Sequence, residues 1–171
     1  FRRSFPALAA QGAPASRSRD PAIAPPTCDS EIPMGSLPGI FRRAPGDFPP
    51  HGGRYLRADP ARVSYWRHRL REMGPGGAIG LSWRGGLPRS RRSMRSIEPE
   101  EFAGALAATN VVLVSLQYGD VDVDIARIAA ATGRQLHHWP EVIRDYDETA
   151  ALVSALDLVV SVCTSVVHLA G

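Results

Sequence analysis

The chain contains no lysine: all 20 of its basic residues are arginine, in 171 residues. A substitution that complete, in every kind of local sequence, reflects a GC-rich coding sequence rather than a binding role. Cysteine is nearly as scarce. Cys28 and Cys163 lie far apart in unlike surroundings, which excludes a disulfide framework or a CxxC metal site and fits a reducing cytoplasm. Aromatic residues make up 7% of the chain and form no stacking platform for single-stranded nucleic acid. No apolar run approaches the roughly 20 residues of a bilayer span. One such uncharged run, Leu158 to Gly171, is shorter and holds Ser, Thr and His. The first residue is Phe, and no charged region, apolar region and cleavage site follow in order, so both ends are expected to be cuts through a longer protein. The glycine fingerprints GxGxxG and GxxxxGK[ST] are both missing.

What is present is unevenly spread. Residues 1 to 97 carry 17 Arg against 6 acids, while residues 98 to 171 carry 3 Arg against 11, so a net charge of +3 conceals a basic part of +11 and an acidic part of −8. Twelve of the 15 prolines fall within residues 1 to 75. There "ALAAQGAPASRSRDPAIAPP" and "APGDFPPHGG" read as loop or linker, and "IPMGSLPGIF" between them reads as a short strand and turn. In "DPARVSYWRHRLREM" (59 to 73), Asp59 is placed to cap, Pro60 suits the first helical position, and Val63, Trp66 and Leu70 share a face. This predicts a linker helix, with a boundary at "GPGG" (74 to 77).

Beyond the boundary the pattern becomes strand and helix in alternation. "AIGLSW" (78 to 83), "VVLVSL" (111 to 116), "QLHHW" (135 to 139) and "LVVSV" (158 to 162) read as strands. Between them, "PEEFAGALAA" and "DVDIARIAAAT" read as helices, the second ended by Gly133, and Asp147 is placed to cap a helix over "ETAALVSAL". A last helix is expected from Thr164 or Ser165 onward. Strands that are almost continuous Val, Leu and Ile belong in a parallel sheet covered on both faces, so the expected fold is α/β, a Rossmann-like doubly wound sheet. The expected organisation is a largely looped segment over 1–58, a linker helix and boundary over 59–77, and the sheet domain over 78–171.

In the order 3-2-1-4, the first and fourth strands are neighbours whose chains leave in opposite directions, opening a crevice at their carboxyl ends. The two loops placed there are chemically unusual. "RGGLPRSRRSMRS" (84 to 96) holds five Arg and three Ser with Gly85 and Gly86, a composition suited to bidentate phosphate contacts and close backbone approach. A solvated basic loop or a nonspecific nucleic-acid contact through Arg89, Arg91, Arg92 and Arg95 is the alternative. In "CTSVVH" (163 to 168), Thr164, Ser165 and His168 would share one face of the last helix at its N-terminus, where an anion is favoured. The plain alternative there is a capping hydroxyl and a hydrogen-bonded core histidine. Two anion-suited loops on adjacent strand ends point to a ligand carrying phosphates, most simply a nucleotide.

The motifs "IGLSWRGG" with a later "RSI", then "SLQYGD", then "DYDETAALVSALDLVVSVCTSVVHLAG" resemble the C-terminal nucleotide-sugar-binding domain of GT-B glycosyltransferases. The similarity is to the glycosyltransferase-like domain found behind tetratricopeptide repeats in bacterial proteins, related to heptosyltransferases and more distantly to O-linked N-acetylglucosamine transferases. It covers most of residues 28 to 171, with the segment before the sheet resembling the end of an N-terminal acceptor domain. The resemblance implies transfer of a sugar from a nucleotide diphosphate sugar to an acceptor hydroxyl, with upstream helical repeats as neighbours and no cofactor; no metal is expected, because no carboxylate cluster sits at the crevice. It places donor contacts on Ser82, Trp83, Arg84 and Gly85 and the diphosphate turn on Thr164, Ser165 and His168. His138 and Trp139 would lie near the base, and Gln117 would border the cleft. The catalytic base of many inverting members sits in an N-terminal region outside this sequence, His168 is expected to bind the leaving group by a hydrogen bond before protonating it as an acid, and the piece itself is expected to be inactive. Heptosyltransferases usually carry an acidic residue where this chain has Cys163, here expected to be a small buried thiol. That departure leaves room for a noncatalytic, degenerate module, and the basic part for a nucleic-acid-binding segment.

Overall fold

The computed structural model describes residues 3–6, 29–30, 32–47, 56–85, 92–106 and 110–171. The chain divides into two compact units, Phe1–Tyr55 and Leu56–Gly171. In the first, "IPMGSLPGIF" forms a 3-10 turn, Met34–Ser36, followed by a short helix α1, Leu37–Phe41, in place of the expected strand and turn. Pro38 accounts for the difference, since its fixed φ suits a first helical turn and its missing N–H is a loss to a strand. Ile40 and Phe41 are exposed.

The second unit opens with α2, Pro60–Met73, capped as its sequence predicts: the Asp59 carboxylate accepts from the N–H groups of Ala61 and Arg62. Trp66 and Leu70, four residues apart on one face, are buried in the same cluster as Val112, Val114 and Leu152. The helix expected to be a linker is therefore part of the sheet's own core, and the division falls near Leu56 rather than at 74–77. Trp66 is too large an apolar group to leave in a solvated connection. Its Nε1–H also donates to Glu148, 2.8 Å away.

Strands β1 (Ala78–Ser82), β2 (Val112–Ser115), β3 (Leu136–His137) and β4 (Leu158–Ser161) form one sheet in the order β3-β2-β1-β4, parallel throughout. Between them run α3 (Pro99–Leu106), α4 (Asp122–Thr132), α5 (Pro140–Arg144) and α6 (Tyr146–Ala155), and α7 (Ser165–Ala170) follows β4. Successive strand residues sort onto opposite faces. Val112, Val114 and Leu116 pack with Trp66, Val142, Leu152 and Val166, while Leu113 packs with Leu81, Leu106, Ile128 and Leu136. Both faces are thus covered by helices, which is why the strands tolerate apolar residues at every position.

Two local readings need correction. The cap of α6 is Asp145, whose carboxylate accepts from the N–H groups of Asp147 and Glu148, so the helix begins before Asp147. The short helix α5 is an addition that begins at Pro140, a residue suited to a first turn. Gly133 ends α4 as predicted, at φ 66, a left-handed conformation that costs glycine nothing.

Candidate crevice at the carboxyl ends of the first and fourth strands

The chain leaves β1 towards α3 on one face of the sheet and leaves β4 towards α7 on the other, as Leu106 and Val166 lie in opposite core clusters. That is the strand-order reversal at which open α/β sheets take ligands. The two exit loops meet there. The Gly85 N–H donates to the Arg95 carbonyl at 3.1 Å, and Arg84 pairs with Ser96 in an isolated antiparallel bridge, so the loop after β1 folds back on itself. A Cβ on Gly85 would come within 2.9 Å of the Arg95 carbonyl oxygen and 3.1 Å of the Cys163 carbonyl oxygen. Gly85 therefore closes the junction between the first and fourth exits because it has no side chain. Residues 86–91, with Gly86, Arg89 and Arg91, lie outside the described residues, as does Cys28.

The residues entering this junction are held from within. Ser82 and Trp83 are fully buried, so their side chains serve the core and are not presented to a ligand. The Trp83 indole N–H donates to Asp124 Oδ2 at 2.9 Å. Arg84 Nη1 pairs with the same oxygen at 3.0 Å, and its Nη2 donates to the carbonyl of Asp120. The Arg84 guanidinium, expected to meet phosphate, is thus spent on the start of α4, leaving its Nε buried with no partner. Asp124 carried no distinguishing signal in the sequence, being one of two acids in a first helical turn that the helix dipole favours in any case. Its role is visible once Trp83 and Arg84 are placed beside it. Arg127 holds the outer side, with Glu100 at 2.5 Å and Glu98 at 3.3 Å.

Gln117 is 1% exposed. Its Oε1 accepts from the Arg84 N–H (2.8 Å), the Trp83 N–H (3.0 Å) and the Ser82 hydroxyl (3.3 Å), and its Nε2 donates to the Arg84 carbonyl at 3.0 Å. It stands beside the exit of β1, buried, as a carboxamide bound to backbone.

On the other wall, Thr164 is the buried cap of α7, its hydroxyl accepting from the Val166 N–H and lying 3.2 Å from the Ser161 hydroxyl. Ser165 and His168 are exposed on that six-residue helix. Cys163 is exposed, against the expectation of a buried thiol, because the chain is turning out of the sheet at that point.

His138 and Trp139 follow β3, which β2 separates from β1. Trp139 packs on Trp66 with ring centroids 4.9 Å apart, and the Arg69 guanidinium lies over both indoles. It is a packing residue between α2 and α5. His138 is partly buried, with Nδ1 sealed and without a hydrogen-bond partner. The neighbouring His137 has its pKa pushed down, first by burial and then by the charge of Arg69.

Two concavities of about 240 and 270 Å³ lie elsewhere. The first is lined by Arg67, Arg71, Gly77 and Asp157, the second by Asn110, Val111 and Arg134, so both sit around the amino ends of strands, opposite the ligand edge of such sheets. Among the described residues no group of three or more His, Cys, Asp or Glu side chains is arranged to hold a metal ion. No helix among them is long and apolar enough to cross a membrane.

Compared with known proteins, the chain is 35% identical over 126 residues to protein FlbA of Caulobacter vibrioides, an alignment covering 71% of this chain and 21% of that protein. The chain thus spans about a fifth of the length of the curated relative it matches. No family model matches, and no solved structure matches.

Proposed function

We propose that the second unit is the donor-binding part of a glycosyltransferase, taking the diphosphate of a nucleotide sugar at the junction of the exits from β1 and β4. The observation that carries this reading is the contact of Gly85 with the backbones of both Arg95 and Cys163 at the strand-order reversal. It sets the described ends of the arginine-rich loop beside the turn that leads into Thr164, the arrangement that supports this reading. With Arg84 committed to Asp124, the arginine contact with phosphate falls to Arg95, an exposed residue whose backbone forms the junction, and to Arg92 beside it. Guanidinium groups there would meet the charge that develops on the leaving diphosphate during transfer. Ser165 and His168, exposed on α7, are assigned to the opposite wall, His168 as a hydrogen-bond donor to the same group. Acceptor recognition and the catalytic base are assigned to parts of a longer protein.

The expected outcome is measurable binding of UDP, ADP or GDP by calorimetry, with affinity reduced about tenfold or more in Arg95→Ser, the scale of a lost charge-assisted hydrogen bond. Absence of binding by all three at millimolar concentration would sink the proposal.

A second reading, a noncatalytic module that keeps the fold and has lost the chemistry, draws on one observation: Ser82, Trp83 and Arg84, implied as donor contacts, are consumed by internal bonds. Nucleotide binding without donor hydrolysis or transfer by the longer protein would favour it.

A further inference from the structure

Beyond β1 the chain pairs on one side with Arg95 to Ile97, but on the side of β2, which ends at Ser115, Trp83 and Arg84 meet no backbone partner among the described residues. Two backbone N–H groups and one carbonyl there would be left without partners in a buried setting, a costly arrangement. The Gln117 side chain supplies all of them. Its carboxamide acts as a surrogate peptide group, accepting from two successive amides and donating to the Arg84 carbonyl, and so prolongs the β1–β2 pairing past the end of the strands. Arg84 is therefore gripped at its N–H, its carbonyl and its guanidinium, the last by Asp124 and the Asp120 carbonyl. The next residue is Gly85, on which the two walls of the crevice close.

We propose that Gln117 is the positioning residue of this crevice: by fixing the path of Trp83 and Arg84 it sets Gly85 against Arg95 and Cys163, and so determines where the anion contacts of both walls stand. The inference deepens the donor-site reading and rests on it for its ligand, while its geometric part stands apart. Gln117 acts through backbone and is not assigned a contact with substrate.

The test is hydrogen exchange by mass spectrometry on Gln117→Met and Gln117→Glu, with nucleotide calorimetry on the same proteins. Gln117→Met removes the acceptor, and exchange at Trp83, Arg84 and Gly85 is expected to quicken by about tenfold or more while β2 amides such as Val114 stay near wild type. Gln117→Glu keeps an oxygen of the same reach and, when protonated, an O–H that donates where Nε2 did, so protection of Trp83 and Arg84 is expected to be largely retained at mildly acidic pH and to weaken once the buried carboxyl ionises against the Arg84 carbonyl. Unchanged exchange in Gln117→Met overturns the proposal. So does a loss spread equally over all four strands, which would make Gln117 an ordinary core residue. If Gln117→Met does not fold, a pH series on Gln117→Glu decides: protection of Trp83 and Arg84 that follows the protonated carboxyl supports the clamp, and protection indifferent to its ionisation refutes it. Where wild type binds a nucleoside diphosphate, a folded Gln117→Met should bind at least about tenfold more weakly, and equal affinity refutes positioning. Failure of wild type to bind any nucleotide removes the donor-site reading and leaves the exchange result to decide the clamp.

Discussion

At the scale of single residues, the crevice is built from groups whose chemistry faces inward. Asp124 shows the consequence most directly. It is 8% exposed and serves an indole N–H and a guanidinium through one carboxylate oxygen. In Asp124→Asn the acceptor for Trp83 can persist, but Arg84 keeps its charge in a largely desolvated place without a counterion. The expected loss is about 2 kcal/mol, read as a lower urea midpoint at unchanged m-value, since removing one partner of such a pair costs more than the pair contributes. A midpoint equal to wild type would show that Arg84 finds compensation elsewhere. In the sequence Arg84 was identifiable as a crevice residue, but its partner was not, because 40 residues of chain separate it from Asp124 and no local pattern links them.

At the scale of elements, the packing of α2 on α6 explains why the supposed linker is core. Glu148, in the first turn of α6, joins the two helices, taking hydrogen bonds from Arg62 and from the Trp66 indole. The Arg62 hydrogen bond is the main cause that holds its carboxyl below the ordinary value of 4.5, with the Trp66 hydrogen bond and the Arg62 charge adding to it against the opposing effect of burial. The unfolded chain then binds the proton more readily than the folded one, so this contribution is complete above about pH 4.5 and is lost as pH falls through the lower, folded value. Denaturation midpoints taken from pH 6 down to pH 3 should therefore fall more steeply in wild type than in Glu148→Gln. Parallel curves would refute the linkage. Helix starts with a capping carboxylate or an early proline were legible in the sequence, as at Asp59 and Pro60. The start of α6 was less so, because Asp145 and Asp147 both suit a cap and the choice rests on where the preceding turn of α5 ends.

At the scale of the whole molecule, the sheet is closed on neither side among the described residues. Edge strand β4 pairs with β1 alone among the described residues, and its Leu158 is 53% exposed. Val160 turns to the same face as the α3 and α4 core, which stops short of covering Leu158. Among the described residues this edge of Leu, Val, Val and Ser carries no charge or proline to keep it from pairing with another edge. The chain on its own is expected to self-associate, and Leu158→Lys is expected to raise the monomer fraction in size-exclusion chromatography with light scattering. A wild-type chain that stays monomeric at high concentration would contradict this.

The sequence by itself determined the order of the four strands, the helices between them apart from α5, the parallel sheet and the two loops at its carboxyl edge. Each of these follows from local periodicity, capping chemistry and the handedness of crossovers, which act over short stretches of chain. Tertiary structure alone decided which side chains in those loops remain available. Trp83 and Arg84 read as donor contacts until Gln117 and Asp124, brought from after and within the next strand-helix unit, claimed their hydrogen-bonding groups. The physical reason is that a buried polar group must be satisfied by whatever partner the fold brings near, and that partner is set by packing across the sheet rather than by neighbours in the chain.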